Sequence, residues 1–350
     1  TIVAAADYRV ADVLADGVSV GAVGTYTFSN VTSDHKLAAV FEKSAGTTTV
    51  VDKNGDVTEN TAISGADGST GSVSRTTTAG GNTNVDVSLK NADGTVSTSA
   101  TQNGSTAAVN VTVSAPSTRS NDTSVAAIDD AAVTEALKQA RSASAYVGGT
   151  QTPVTVTIEV NSGTSSQTEV VLTAASLSDL SKADTGVTLA TGTGTVTLSH
   201  DVVTGLKGES LTVSVGTADP ASLTEAQRKA AGDRTVVEAS ALSGSTSVHA
   251  LGGSVTVTLP YTLKAGENPE KIEILYLKDD GSTEVYQAVY DAAAKTVSFQ
   301  TDHFSYYVVS FATGTDDSGS NLTLYLIAAI VIVIIAIAAI AYRVSRAKKV

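Results

Sequence analysis

The segment TPVTVTIEV, Thr152–Val160, alternates polar and apolar residues with a period of two, the pattern of a half-buried β-strand. The same alternation occurs in ESLTVSVG, Glu209–Gly216, and in SVTVTLPYT, Ser254–Thr262. Runs of this kind, separated by Gly, Asn and Asp, recur up to Phe311. We therefore predict an all-β fold of antiparallel sandwich or meander modules with two or three short helices.

Three segments carry helix signals. DDAAVTEALKQAR, Asp129–Arg141, places its larger apolar residues on one stripe and runs from an acidic start to a basic end. SLTE, Ser222–Glu225, has the pattern of a capping box, and Gly232 supplies a stop for that helix. ASLSDLSKA, Ala175–Ala183, is a shorter candidate. These helices are expected to connect strands.

Residues 45–122 differ from the rest in composition, because 27 of these 78 residues are Ser or Thr and none is aromatic. Because this range has few bulky side chains, it can bury little apolar area, and that burial offsets little of the entropy cost of ordering the chain. Turn dipeptides, which supply the positive φ angles of type I′ hairpins, nevertheless recur 10 to 13 residues apart: Asn54–Gly55, Asp67–Gly68, Gly80–Gly81, Asp93–Gly94 and Asn103–Gly104. We predict a β-hairpin stalk or spacer, with disorder as the alternative.

Residues 123–313 are expected to form a β-rich, membrane-proximal module. Its clearest part is EKIEILYLKDDGSTEVYQAVYDAAAKTVSFQTDHFSYYVVSF, Glu270–Phe311. There DDGS and DAAAK are the predicted turns of an antiparallel meander. Residues 314–321 are predicted to be a polar linker.

The chain closes with LYLIAAIVIVIIAIAAIAYRVSRAKKV, Leu324–Val350. Residues 322–342 carry no charge and, at about 1.5 Å per residue, span roughly 30 Å of hydrocarbon as a transmembrane helix. A buried core helix of this length would show a polar face. Short basic flanks stay in the cytoplasm, so the tail, 343–350, is expected inside and the N-terminal part outside. The predicted interface anchors are Tyr325, Tyr342, Arg343, Arg346, Lys348 and Lys349.

The charge balance and the absence of cysteine exclude several classes of protein. The chain has 22 Lys and Arg against 35 Asp and Glu, a net charge of −13, and no acidic residue follows Leu322. This acidity argues against a nucleic-acid partner. With no cysteine, disulfide scaffolds, thiol catalysis and thiolate metal sites are excluded.

Two stretches resemble a known class of surface protein. DYRVADVLADGVSVGAVGTYTFSNVTSDHKLAAVFEK, Asp7–Lys43, resembles the closing half of the InlB-type, or divergent bacterial, repeat, through its Y-x-V-x-x-V start, DG turn, YTFSNVT and DH. This module occurs in tandem in surface proteins of bacteria and methanogenic archaea. The resemblance implies that residues 1–44 are a partial repeat. Because the first strands of the module would precede Thr1, it also implies that the chain is a C-terminal piece of a longer protein.

The other stretch, 124–311, resembles the β-rich module that precedes the C-terminal anchor in such proteins, most closely in LPYTLKAGENPEKIEILYLKDDGSTE and TVSFQTDHFSYYVVSF. No LPxTG-like sorting motif precedes the apolar segment, so the anchor is more similar to that of an archaeal surface protein than to a sortase substrate. Both resemblances imply an adhesin-like protein.

The polar residues show no pattern of a reactive site. The histidines, His35, His200, His249 and His303, are far apart and are predicted to lie in turns or at strand edges. DKNGDVTEN, Asp52–Asn60, has acidic spacing like a calcium loop, but Val57 stands where glycine is needed and Ile63 where glutamate is needed, so a hairpin turn is predicted. We predict no catalytic residue, cofactor or metal site, and no enzymatic activity.

Five N-x-S/T sequons are possible N-glycosylation sites in a secreted chain: Asn30, Asn103, Asn110, Asn121 and Asn321. The sequence as a whole predicts a single-pass, membrane-anchored, adhesin-like cell-surface protein that presents β modules for adhesion or cell-surface contact. Its expected partners are the lipid bilayer and an unknown extracellular protein or glycan. The alternative is a structural cell-envelope subunit, S-layer-like or sheath-forming, that assembles with copies of itself.

Overall fold

A computed structural model describes residues 2–4, 8–29, 31–43, 47–64, 68–148 and 152–312. The structure is 51% strand and 15% helix, which confirms the prediction of a β-rich chain. Four α-helices lie within these residues, where two or three were expected.

The strands follow in chain order: β1 Tyr8–Ala15, β2 Val18–Gly21, β3 Leu37–Lys43, β4 Thr47–Val51, β5 Val57–Ser64, β6 Thr70–Thr77, β7 Thr83–Lys90, β8 Val96–Asn103, β9 Thr106–Ala115, β10 Thr118–Ser120, β11 Thr123–Ala127, β12 Val154–Val160, β13 Gln167–Leu172, β14 Val187–Thr191, β15 Thr195–Leu198, β16 Leu211–Thr217, β17 Val236–Ser243, β18 Thr246–Ser247, β19 Ala250–Pro260, β20 Ile272–Leu277, β21 Thr283–Asp291, β22 Thr296–His303 and β23 Tyr306–Phe311. The helices are α1 Asp130–Val147, α2 Ala174–Lys182, α3 His200–Leu206 and α4 Glu225–Ala231.

The chain divides into two compact units, and each unit uses segments that are distant in sequence. The first unit contains residues up to 116, 128–159 and 175–188. The second contains 117–127, 160–174 and the described residues from 189 onwards. The first unit therefore draws on all three of the ranges that composition separates, 1–44, 45–122 and 123–313.

Strands β4 to β9 of the first unit form a continuous antiparallel meander. Four of the five turn dipeptides predicted from the sequence lie wholly within the described residues, at or next to the connections between these strands, so hairpins are confirmed there, while Asp67 of the fifth lies outside the described residues. Four of the turns differ in type from the expectation, because the residues before Gly55, Gly81, Gly94 and Gly104 do not have positive φ. At Gly55, Gly81 and Gly94, where φ is near +80°, a turn followed by a left-handed glycine makes a bulged hairpin. The type I′ turn occurs instead at Asp16–Gly17.

Helix α1 covers one face of this meander and contacts β7, β8 and β9. Asp129 caps its start by accepting a hydrogen bond from the Ala131 amide at 2.9 Å. Within the contact the fully buried Gln139 accepts a hydrogen bond from the Thr98 hydroxyl at 3.0 Å. Residues 45–122 thus gain a core from a helix outside that range.

The repeat-like part of the first unit is a three-stranded sheet in the order β2–β1–β3. Ala11, Val13 and Ala15 lie on one face of β1 and are all buried, and the register of β1 against β3 is irregular between Val10 and Asp12. On β3, by contrast, the large apolar side chain of Phe41 is 44% exposed.

The second unit contains two sheets that share one strand. The first sheet runs in the order β10–β11–β13–β16–β17–β23–β20–β21, with a parallel pair at β11–β13. The second runs in the order β15–β19–β22–β21. Strand β21 pairs with β20 through its first half and with β22 through its second half. The predicted strands of Glu270–Phe311 are confirmed as β20 to β23, but the meander order holds only from β20 to β22, because β23 pairs with β20 and β17.

The helices of the second unit depart from the sequence-based expectation in two places. The capping box of α4 is formed by Thr224 and Gln227, two residues after the Ser222–Glu225 pair that we predicted. Gln227 suits the role because its amide also donates to the Leu277 carbonyl at 3.2 Å while it is buried. Helix α3 was not predicted, since HDVVTGL is too short to show helical periodicity.

Candidate functional site

A broad polar surface lies on the side of the meander that α1 does not cover. Because successive side chains in a strand point to opposite faces, buried valines such as Val73, Val87 and Val109 alternate with outward polar residues. Strand register places those outward residues in two rows across five strands. We call these eight residues the polar face: Asn60, Ser72, Ser74, Asp86, Ser88, Ser99, Thr101 and Asn110.

The polar face carries hydroxyl and amide groups, and Asp86 is the one charged residue among its eight members. Each row has polar residues on four neighbouring strands, which are spaced about 4.8 Å apart, so each row extends for roughly 15 Å. Asp86, Ser88, Ser99 and Thr101 at its centre are all exposed. Such a surface offers many hydrogen-bond donors and acceptors to a large partner.

Two of the predicted glycan acceptors belong to this side of the meander. Asn110 is half-buried in the middle of β9, whereas Asn103 is exposed at the end of β8, beside the turn at Gly104. Asn121 is exposed in the β10–β11 turn of the second unit, with φ of 53°. Asn30 and Asn321 lie outside the described residues. Modification of any of the five stays a prediction.

The predicted membrane anchors also lie outside the described residues, as does the whole of 322–342. Within the part of the chain that the structure describes, no helix is long and apolar enough to cross a membrane.

The four histidines occupy separate elements. His35 lies before β3, His200 begins α3, His249 lies between β18 and β19, and His303 ends β22. No group of three or more His, Cys, Asp or Glu side chains suited to a metal ion occurs among the described residues.

His35 forms the best-defined polar contact of the repeat-like part. Its Nδ1 lies 2.7 Å from Asp16 Oδ2, and its ring stacks on Phe28 with centroids 4.5 Å apart. This hydrogen bond, with a second from the Lys36 amide, lowers the pKa of the Asp16 carboxyl. The hydrogen-bond partner of His35 is therefore Asp16 of the Asp16–Gly17 turn, and this pair connects that turn to the start of β3.

The calcium-like segment is the hairpin turn between β4 and β5, as predicted. Asp52 Oδ1 accepts hydrogen bonds from the amides of Asn54 at 2.8 Å and Asp56 at 2.9 Å. Asp56 Oδ1 in turn accepts from the Ala79 amide at 3.0 Å. These carboxylates hold the turn together through backbone donors.

An aromatic cluster fills the second unit where its two sheets meet. Phe299 of β22 packs on Tyr307 of β23 with centroids 4.9 Å apart, and Tyr307 is completely buried. The Tyr307 hydroxyl donates to the His303 carbonyl at 2.7 Å, and its burial raises the pKa of the phenol above the ordinary range. Tyr276 stacks edge-on to the His303 ring at 4.7 Å. This cluster joins residues of three strands in the core of the unit.

A buried hydroxyl cluster in the second unit was not predicted from the sequence. Ser124 Oγ lies 2.7 Å from Ser165 Oγ, Thr168 donates to Ser162 Oγ at 2.8 Å, and Thr193 donates to Thr168 at 3.0 Å. Their partners are other hydroxyls and backbone oxygens, so the cluster pairs polar groups within the core. In a chain this rich in Ser and Thr, no local signal distinguishes these residues.

Comparison with protein families, with curated proteins and with solved structures found no match to this chain. The likeness of Asp7–Lys43 to the InlB-type repeat therefore rests on the quoted residues alone.

Proposed function

We propose that this chain is a non-enzymatic, adhesin-like cell-surface protein that presents its β-rich units for contact with other surfaces. The observation that carries the proposal is the polar face. It is an array of exposed hydroxyl and carboxylate groups, flanked by the half-buried amides of Asn60 and Asn110, and it suits many weak hydrogen bonds to a hydrated, extended partner such as a glycan or another surface protein. Segment 322–342 would anchor it as a single transmembrane helix, with the basic tail inside the cell.

The proposed topology can be tested with single cysteines, because the chain has none of its own. We expect a membrane-impermeant maleimide to label Thr101→Cys on intact cells and to label Ala347→Cys only after lysis. Thr101 is exposed on the polar face, so the first reaction needs no unfolding. Labelling of Ala347→Cys on intact cells, or protection of Thr101→Cys, would contradict the topology.

The contact role can be tested by introducing two large, charged side chains on the polar face. We expect cells that display the full chain with Ser99→Arg and Thr101→Arg to attach to immobilised polysaccharides and to other cells roughly tenfold less than cells with the unaltered chain, since many weak contacts fail together. The matched control is Thr246→Arg with Ser247→Arg, an equally exposed pair on β18. Equal attachment by both variants would overturn the proposal.

A specific observation favours self-assembly as the second candidate. Strand β4 pairs only with β5 among the described strands, and all five of its residues are exposed, with Val50 at 57% and Val51 at 63%. An unprotected edge strand can add a strand from another chain. Ordered, concentration-dependent assembly in light scattering would favour an S-layer-like or sheath subunit, and a monomer at all concentrations would favour the adhesin-like role.

A further inference from the structure

A cavity of about 420 Å³ lies within the first unit, between β2, α1, the start of β12 and the end of α2. Helix α1 lines it with residues spaced as one helical face, including Leu137, Ala140 and Arg141. Eight of the thirteen lining residues are aliphatic, so the walls suit an apolar body. The volume is ample for a small organic molecule.

Three polar groups on the wall remain available to a ligand. The Arg141 guanidinium has no hydrogen bond or ion pair with any described residue. The Thr152 hydroxyl is buried without a hydrogen-bond partner in the described residues, and Thr152 as a whole is 8% exposed. The Lys182 ammonium has one partner, Asp179, at 3.2 Å. The other two hydroxyls, those of Ser19 and Ser144, already donate to protein oxygens.

The charges around the cavity favour a monoanion. Asp179 offsets the charge of Lys182, whereas Arg141 has no ion-pair partner among the described residues. A planar guanidinium binds a carboxylate through two parallel hydrogen bonds. A buried hydroxyl without a partner is costly, and a ligand oxygen would remove that cost. An apolar wall beside one free guanidinium and one free hydroxyl matches an apolar molecule with a single carboxylate.

We propose that this cavity binds a small apolar monocarboxylate, with its carboxylate on Arg141 and the Thr152 hydroxyl and its apolar body against the aliphatic wall. The proposal does not depend on the contact role of the polar face. The proposal gives Arg141, an exposed residue of α1, the role of binding the carboxylate.

The test uses the full chain in lipid nanodiscs and cyclohexanecarboxylate as the probe, observed by saturation-transfer difference NMR. Cyclohexanecarboxamide is the neutral control of the same shape. We expect the carboxylate to bind saturably, the amide to bind about tenfold more weakly, and Arg141→Gln to weaken carboxylate binding about tenfold, because a charge-assisted pair is lost. Arg141→Glu should turn the preference towards cyclohexylmethylammonium.

Two further variants separate the cavity from general effects of charge or folding. Lys138→Gln removes the same charge from an exposed position on α1 that does not line the cavity, and it should leave binding unchanged. Ala145→Trp, at an exposed position on the wall, should fill the cavity and abolish binding while the circular dichroism spectrum is preserved. Equal binding of acid and amide, equal effects of Arg141→Gln and Lys138→Gln, or no saturable signal would each overturn the proposal.

Discussion

Replacement of Tyr307 with alanine is expected to lower the free energy of unfolding of the second unit by about 3 to 5 kcal/mol, the usual cost of deleting a large buried aromatic side chain. Tyr307 is completely buried, packs on Phe299 at 4.9 Å and lies within 6.5 Å of the rings of Tyr286 and His303. Because a close-packed core relaxes only partly around a deleted side chain, much of the space left behind would remain a cavity.

The matched variant is Tyr307→Phe, which keeps the ring and removes only the hydroxyl that donates to the His303 carbonyl. We expect it to cost about 1 kcal/mol, the net value of one hydrogen bond. Urea unfolding followed by near-ultraviolet circular dichroism measures both effects, because six of the eleven tyrosines lie between positions 261 and 307 and tryptophan is absent. Equal losses from the alanine and phenylalanine variants would show that packing at Tyr307 does not hold the sheets together.

Replacement of Gly71 with alanine is expected to cost about 3 kcal/mol in the first unit, at the upper end of the range for overpacking. A Cβ atom on Gly71 would lie 1.7 Å from the Ser88 carbonyl oxygen and 2.9 Å from Leu89 Cα. The obstacle is backbone, which no change of rotamer can remove. Strands β6 and β7 would have to separate locally, and the hydrogen bonds around Gly71 and Leu89 would be lost.

Gly80→Ala is the control for this prediction. Gly80 lies in the turn between the same two strands, and its added Cβ would meet only the Thr78 hydroxyl, at 3.9 Å. Its cost should be within about 0.5 kcal/mol. Hydrogen exchange of residues 70–90, read by mass spectrometry, should accelerate in Gly71→Ala and not in Gly80→Ala. Unchanged protection in Gly71→Ala would mean that β6 and β7 do not pair in the register that sets Gly71 opposite Leu89.

Local signals in the sequence predicted the local parts of this fold. Asn-Gly and Asp-Gly dipeptides marked where the hairpins turn, because their residues favour tight turns, but they did not determine the turn type. The capping box was misplaced by two residues because SLTEAQ offers two overlapping choices, and only the contact of Gln227 with Leu277 selects between them. That contact joins residues fifty positions apart, which a local pattern does not reveal.

Long-range packing accounts for what could not be predicted from the sequence. Residues 45–122 are poor in the bulky side chains that a core needs, yet α1 covers one face of their sheet through small residues and the Thr98–Gln139 hydrogen bond. The cavity also depends on distant partners, since Arg141 and Lys182 are brought to one wall by different helices. Neither Arg141 nor Lys182 lies in a sequence motif that would have identified it as a ligand-binding residue.

The position of β23 bears on how the protein would carry a mechanical load. This last described strand is an interior one, with β17 on one side and β20 on the other, and both neighbours are antiparallel to it. Tension arriving through the residues after Phe311 would pull β23 along its own axis, so the hydrogen bonds on both flanks would be loaded together in shear. An edge strand would instead peel away one bond at a time. Both hydrogen-bond ladders of β23 would therefore resist such a load together.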